Sequence, residues 1–257
     1  MLHMLELRHH SVRPLKDKPY HKNWIDVLKG VGIFSVVIGH LYPECRWVFM
    51  YHMPLFFLLA GYTLNLRAPF KDFVHKKSKR MLLPYLPFFV LLAAMQCSLN
   101  LKQLLSFVYG GQKLGGVYSV FWFITVLYMA EVGMRCATFR FRLDIIFAAS
   151  MLLGYALADT KNWPWNLNVV PMAMAYMCVG LFLKKHSDIM DKTPLYVKWL
   201  LLLSVILVPI IPKELLLDMK YANFGFPVFS FIISVIVVVA LMQFSQKLSD
   251  ITIFGGG

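Results

Sequence analysis

Long apolar blocks alternate with short, basic connections along most of the chain. A helix needs about 20 mostly apolar residues to cross a bilayer, and helices satisfy their own backbone hydrogen bonds in lipid. The predicted spans are residues 25–42, 47–65, 81–98, 118–134, 143–158, 168–183, 195–211 and 226–244. The pattern therefore predicts an all-α, polytopic transmembrane helix bundle of about eight spans. A basic segment at 1–24 precedes a membrane domain at 25–257.

Composition supports this architecture, and the distribution of charge predicts its orientation. The chain of 257 residues is 59% hydrophobic and only 15% charged. A soluble domain of this size would need more polar residues to cover its surface. Of the 26 lysines and arginines, twenty lie on one side of the predicted bundle and six on the other. The positive-inside rule then predicts a multi-pass protein of the cell membrane with a cytoplasmic N-terminus. Because the net charge of +13 is spread over separate connections, we expect no nucleic-acid partner.

Ionisable residues inside the predicted spans are the first candidates for function, because charge is costly in a bilayer. Lys29 and His40 are eleven positions apart in the first span. At about 100° per residue they share one helix face, about 16 Å apart along the axis. His52 lies in the next span and Glu131 in the fourth, where no partner for the carboxylate can be identified from sequence.

Several motifs, in a consistent order, resemble the acyltransferase-3 family of integral membrane acyltransferases, and within it the fucose 4-O-acetylase-like branch. They are WIDVLKG at 24–30, GH at 39–40, HMPLFF at 52–57 with AGY at 60–62, KRMLLPY at 79–85, FWFI at 121–124, and NLN at 166–168 as a weaker likeness. Members of this family typically have about ten spans, so we expect the eight-span chain to be C-terminally incomplete or a short form. The terminal Gly-Gly-Gly is a poor end for a structured element.

The resemblance implies transfer of an acyl group, usually acetyl, from acyl-CoA to a hydroxyl of a sugar or cell-surface polysaccharide. By position it assigns catalysis to His40 and donor binding to Lys29, Lys77 and Arg80. The family more commonly has two arginines where this chain has Lys77 and Arg80, and a lysine lacks the planar fork that grips phosphate in two places. Candidate accessory residues are His52, Trp122 and Glu131.

Chemistry fits these assignments. A neutral imidazole can take the proton of an attacking hydroxyl, or can itself accept the acyl group, and the sequence leaves both mechanisms open. The lysine- and arginine-rich connection at 76–80 suits the phosphates of coenzyme A at a cytoplasmic entrance. We expect acetyl-CoA or another acyl-CoA as donor substrate, no tightly bound cofactor and no metal.

Each candidate also has a structural interpretation. His40 can be an interfacial histidine bonded to nearby backbone, Lys29 can extend to the membrane surface, and the 76–80 cluster can be a topological anchor or bind anionic lipid. Gly32, Ser35 and Gly39 form a small-residue stripe suited to close helix packing.

Two other functions stay open at this point: a polysaccharide exporter or carrier, and a truncated, inactive membrane protein. A disulfide between Cys45 and Cys97 also stays open, because both residues can face outward.

Overall fold

The computed structural model describes residues 20–95, 101–188 and 192–254. The α-helices bounded within this part are α1 Tyr20–Leu41, α2 His52–Thr63, α3 Phe70–Met81, α4 Tyr85–Met95, α5 Leu101–Tyr109, α6 Phe121–Arg140, α7 Leu143–Ala156, α8 Val170–Lys185, α9 Leu195–Leu207 and α10 Phe229–Phe254. Short 3₁₀ segments connect several of them, and the described residues form no strand beyond one isolated bridge between Asp218 and Asn223. Cys97, half of the disulfide considered above, lies outside the described residues.

The predicted all-α membrane bundle is confirmed. Within the described residues, five helical segments are long and apolar enough to cross a membrane: Asn23–Leu41, Phe70–Met95, Gly116–Arg140, Pro164–Lys185 and Phe229–Ser249. Two shorter apolar helices accompany them, Leu143–Ala156 and Tyr196–Ile210. Each of the eight predicted spans overlaps an α-helix, so continuous apolar runs located the main elements.

Two predicted connections are helical instead. The connection expected at 66–80 contains α3, in which Phe73 is buried while most lysines are exposed. The connection expected at 99–117 contains α5. Both helices are amphipathic, so their apolar residues recur at helical spacing and do not form the continuous run that marks a span. The second span also starts later than predicted: residues Pro43–Met50 form a 3₁₀ segment, and α2 begins at His52.

The centre of the bundle is a close crossing of α2 and α8. A Cβ atom added at Gly61 in α2 would overlap the backbone of Met177, and one added at Gly180 in α8 would overlap the carbonyl oxygen of Leu58. Each glycine therefore makes room for the backbone of the other helix. Small residues allow this approach in membrane bundles, where van der Waals contact drives helix association.

The small-residue stripe of α1 packs against the following segment, as predicted. A Cβ at Gly32 would meet the Phe56 ring at 2.8 Å, and one at Gly39 would meet the Phe49 ring at 2.6 Å. Between them, the buried Ser35 hydroxyl lies 3.0 Å from the hydroxyl of Tyr51. The stripe thus fixes the last turns of α1 against the residues that lead into α2.

We predict that alanine at Gly61 or Gly180 destabilises the bundle by about 1 to 3 kcal/mol each, the usual cost of overpacking. Gly30 is the matched control, since a Cβ there meets nothing within 4 Å and alanine favours a helix by up to about 1 kcal/mol. Thermal unfolding of the purified chain in detergent measures the difference. If Gly180→Ala is as stable as Gly30→Ala, the close crossing is not what holds the bundle.

Candidate functional site

The ends of several helices converge on a cavity of about 240 Å³. The last turn of α1, the start of α2, the start of α6 and the 3₁₀ segment Met219–Tyr221 all contribute. The lining residues are His40, Phe49, His52, Met53, Ser119, Trp122, Asp218, Met219, Lys220 and Tyr221. The predicted catalytic residue and two of the three predicted accessory residues are therefore brought into one cavity. The third, Glu131, does not line it.

His52 is held in a defined orientation at the first position of α2. Its ring is buried, with 4% of the residue exposed, and Nδ1 lies 2.8 Å from the carbonyl oxygen of Val48. Because a carbonyl only accepts, Nδ1 carries the proton and donates it to this bond. In the neutral ring Nε2 is then left with a free lone pair. This tautomer can accept a proton from another group at Nε2.

His40 is the more accessible imidazole of the pair. It lies in the last turn of α1 and is exposed, as is Lys29 on the same face. The Phe49 ring contacts both histidines, with its centroid 5.0 Å from that of His52 and 6.5 Å from that of His40. Gly39 permits this position of Phe49, because a side chain at 39 would collide with the ring. Packing of Phe49 thus couples the placement of the two imidazoles.

Trp122 forms a buried part of the same cavity, at the second position of α6. The Thr125 hydroxyl donates to the Trp122 carbonyl oxygen at 2.9 Å and lies 3.4 Å from the carbonyl oxygen of Trp165. Thr125 therefore connects the first turn of α6 to the segment that precedes α8.

Charged residues from a distant connection complete the cavity, and their place in it was not predicted from the sequence. Lys220 donates from Nζ to the Leu114 carbonyl oxygen at 2.8 Å and to the Ser119 hydroxyl at 2.7 Å. Asp218 accepts from Arg46 at 3.4 Å. The only signal was the presence of charge in an apolar chain, and 172 positions separate Arg46 from Asp218.

Burial governs the electrostatics of these two loop residues. Burial raises the pKa of Asp218 above its usual range, although the positive charges of Arg46 and Lys220 act in the opposite direction. Burial likewise lowers the pKa of Lys220, against the effect of Asp218. The cavity therefore has a cationic side chain in a partly dehydrated position, where its field on a nearby group is stronger than in water.

The two asparagines of the NLN motif hold neighbouring backbone, and the first of them supports this loop. Asn166 is fully buried and donates from Nδ2 to the Lys220 carbonyl oxygen at 2.7 Å. Asn168 is also fully buried and donates to the Thr160 carbonyl oxygen at 2.9 Å. Both asparagines position backbone, and neither lines the cavity.

Glu131, which had no partner in the sequence, pairs with Lys77 across α6 and α3. Lys77 Nζ lies 2.5 Å from the Glu131 carboxylate, which is 5% exposed. One turn away on α6, the Tyr128 hydroxyl is 2.8 Å from the Ser78 hydroxyl. Arg135, the next residue on this face of α6, donates to the Ala68 carbonyl oxygen just before α3. These contacts attach α3 to α6.

The three cations predicted to bind the donor consequently have different surroundings. Lys77 is neutralised by Glu131, and Lys29 pairs with Asp26 at 3.1 Å on an exposed surface. Arg80 lines a separate, mainly apolar cavity of about 410 Å³ between α4 and α6, together with Tyr85 and Phe121. Arg80 thus adjoins a cavity, whereas Lys77 and Lys29 each face a carboxylate.

Comparison with known proteins adds to this geometry. An acyltransferase family model, described as an acyltransferase domain, matches residues 22–255. A protein named nodulation protein NolL from Mesorhizobium japonicum is 25% identical over 177 residues, covering 60% of this chain. The matched region is 46% of that relative, so the alignment spans about half of its length. No solved structure matches the chain significantly.

We predict that Lys220→Gln loosens the cavity wall at residues 114–120. The substitution removes charge-assisted hydrogen bonds to Leu114 and Ser119. Since such a bond contributes about 1.5 to 3 kcal/mol, amide hydrogen exchange at 114–120 should accelerate about tenfold or more. Lys213→Gln, an exposed lysine in the same connection, is the control. Unchanged exchange at 114–120 in Lys220→Gln would show that the lysine does not hold this wall.

Proposed function

Because the chain belongs to the acyltransferase-3 family, we propose that it is a membrane-bound O-acyltransferase. In this proposal it moves an acyl group, acetyl in the simplest case, from acyl-CoA to a hydroxyl of a sugar or cell-surface polysaccharide. The motif likeness to the fucose 4-O-acetylase-like branch supports the choice of a sugar acceptor. The N-terminus faces the cytoplasm, where acyl-CoA is available.

The observation that carries the proposal is the pair of histidines in one cavity. A sugar hydroxyl is a poor nucleophile, so a base must remove its proton as it attacks the thioester carbon. His40 is the more accessible imidazole and is proposed to touch the hydroxyl. His52 has a fixed tautomer and is proposed to position the acceptor or His40 through its free Nε2.

The proposed reaction balances without a further reactant. The hydroxyl oxygen forms a bond to the acyl carbon, its proton passes to His40, and the carbon–sulfur bond breaks. The departing thiolate of coenzyme A recovers the proton. In the alternative, a His40 nitrogen attacks the acyl carbon and the coenzyme A thiolate leaves; the sugar oxygen then displaces the imidazole from the acyl carbon, and the hydroxyl proton passes to the thiolate. In either mechanism Lys220 can stabilise the negative charge that develops on the carbonyl oxygen, because charged donors act strongly in a dehydrated cavity.

The donor is proposed to approach from the opposite end of the bundle. The positive-inside prediction puts the start of α3 at the cytoplasmic end of the bundle and His40 near the outer end. Arg80 lies between these ends, beside the first turns of α6. The phosphates of coenzyme A would lie at Arg80, and the thioester arm would extend toward the histidines. Lys77 contributes less to binding than the motif suggests, because Glu131 already neutralises it.

We predict that His40→Gln lowers acetyl transfer by about 10² to 10⁴-fold, the usual contribution of a positioned general base. Glutamine keeps hydrogen-bonding capacity but takes up no proton, so it separates chemistry from structure. The assay is transfer from labelled acetyl-CoA in membranes, normalised to protein level, together with mass spectrometry of surface glycans from cells carrying each variant.

His186→Gln is the control for the histidine change, since His186 follows the end of α8, away from the cavity, and its ring packs against Phe182. Near wild-type transfer by well-expressed His40→Gln would overturn the catalytic assignment. Loss of a whole surface polymer, rather than of its ester-linked acetyl groups, would contradict the proposed reaction and point to export.

We predict that Arg80→Gln weakens the apparent affinity for acyl-CoA by about 1.5 to 3 kcal/mol while leaving thermal stability unchanged.

Lys77→Gln should instead lower stability, because it leaves the buried Glu131 carboxylate without its partner. The double change Lys77→Gln with Glu131→Gln should recover much of that stability. Lys71→Gln, an exposed change on the same helix, serves as the control.

Acyl-CoA titrations of transfer activity and thermal unfolding separate the two roles. If transfer by Arg80→Gln depends on acyl-CoA concentration as the wild type does, the basic cluster at 76–80 is a topological anchor and does not bind the donor.

A further inference from the structure

A third and larger cavity lies away from the histidines, between α5 and the segment that leads into α8. This groove has a volume of about 930 Å³, and its walls are mainly apolar, including Leu101, Leu105, Val108 and Leu167. Leu101, Leu105 and Val108 are each more than 60% exposed. Helix α5 is outside the five segments long enough to cross a membrane. Its exposed leucines therefore belong to a short amphipathic helix of the kind that lies at a membrane surface.

Specific bonds build the groove, so it is not a chance gap between loops. Trp165 donates from Nε1 to the Val108 carbonyl oxygen at 2.7 Å, and the Tyr109 hydroxyl donates to the Asn162 carbonyl oxygen. Gly110 follows α5 with a φ of 67°, and a Cβ there would collide with the Trp165 ring. A left-handed glycine is thus needed for the two walls to meet.

A smaller, more polar cavity of about 220 Å³ adjoins the groove and shares Lys102, Ser106 and Lys113 with it. The Lys113 ammonium lies 3.9 Å from the centre of the Tyr109 ring, at the boundary between the two cavities. Among the described residues that line either cavity, none is acidic. An apolar groove therefore leads to a small chamber with two positive charges and a hydroxyl.

We propose that this groove and chamber bind a phospholipid of the surrounding bilayer that has a net negative headgroup. A hydrocarbon chain fills the groove, and the phosphate lies between Lys102 and Lys113 with the Ser106 hydroxyl as a further donor. The groove alone would accept any lipid chain, whereas two ammonium groups without a carboxylate favour an anion. A soluble phosphate would meet the charges but leave the apolar walls exposed to water. The site does not depend on the proposed acyl transfer.

The experiment uses the full chain in nanodiscs of phosphatidylcholine, with a trace of photoreactive phosphatidylglycerol or of phosphatidylcholine bearing the same photoreactive acyl chain. Labelled positions are mapped by mass spectrometry of peptides. Labelling at 101–109 and 164–167 should be several-fold greater with phosphatidylglycerol. A basic residue near an anionic lipid surface contributes about 1 kcal/mol of attraction. Lys102→Gln and Lys113→Gln should therefore each reduce the phosphatidylglycerol labelling about fivefold, and the double change should reduce it about 25-fold.

Matched variants distinguish charge at this site from charge in general. Lys102→Arg with Lys113→Arg should retain the labelling. Lys198→Gln with Lys247→Gln should also retain it, because these lysines line a different cavity between α9 and α10. Thermal unfolding confirms that each variant is folded.

Equal labelling by the two lipids would overturn the proposal and leave an ordinary lipid-facing surface. Labelling by phosphatidylglycerol that survives the double glutamine change would remove the lysines from the site. Displacement of the label by glycerol 3-phosphate, which has the headgroup charge but no hydrocarbon chain, would show a soluble anion site and overturn the choice of a bilayer lipid.

Discussion

The contact on which the rest of the structure depends is the backbone approach of α2 and α8 at Gly61 and Gly180. Lipid offers no hydrophobic force to press helices together, so association depends on how closely the two backbones can pack. The first residue of α2 is His52, and the segment before α8 contains Asn166, which holds the carbonyl of Lys220. A shift between these two helices would therefore move an imidazole relative to the loop that faces it across the cavity.

The buried ion pair of Lys77 and Glu131 joins α3 to α6. An isolated carboxylate in a membrane interior is expensive, and pairing reduces the cost without necessarily adding net stability. The bond between Lys77 and Glu131 is better understood as specifying where α3 lies against α6. The hydroxyl pair of Ser78 and Tyr128 repeats the same register one turn away. A basic residue that a motif assigns to substrate is thus engaged in holding its own helix.

Much of the fold was predictable because membrane spans occur in the sequence as continuous apolar runs. All eight predicted spans overlap helices, and the stripe of Gly32, Ser35 and Gly39 packs as its spacing indicated. Helices α3 and α5 were missed because an amphipathic helix spreads its apolar residues along one face and so lacks the continuous apolar run that marks a span.

The candidate site was only half predictable, for a physical reason. Residues joined by helix periodicity or by a short turn can be placed together from sequence, and this covers His40 and His52. The partners Asp218 and Lys220 reach the cavity from a connection near the end of the described chain, and only the packed bundle brings them there. Their charges were visible in the sequence, but nothing in the spacing indicated which helix ends they would meet.

The arrangement of the two histidines also constrains how the site can work. Phe49 contacts both rings, and Gly39 gives it the room to do so. A larger residue at 39 would displace the ring and with it the relation between the exposed His40 and the buried His52. The buried imidazole already has one nitrogen committed to the Val48 carbonyl, so only its Nε2 can respond to the cavity. His40 is therefore accessible, whereas His52 has a fixed orientation. A base that must reach an incoming hydroxyl needs to be accessible, and a residue that positions other groups needs a fixed orientation.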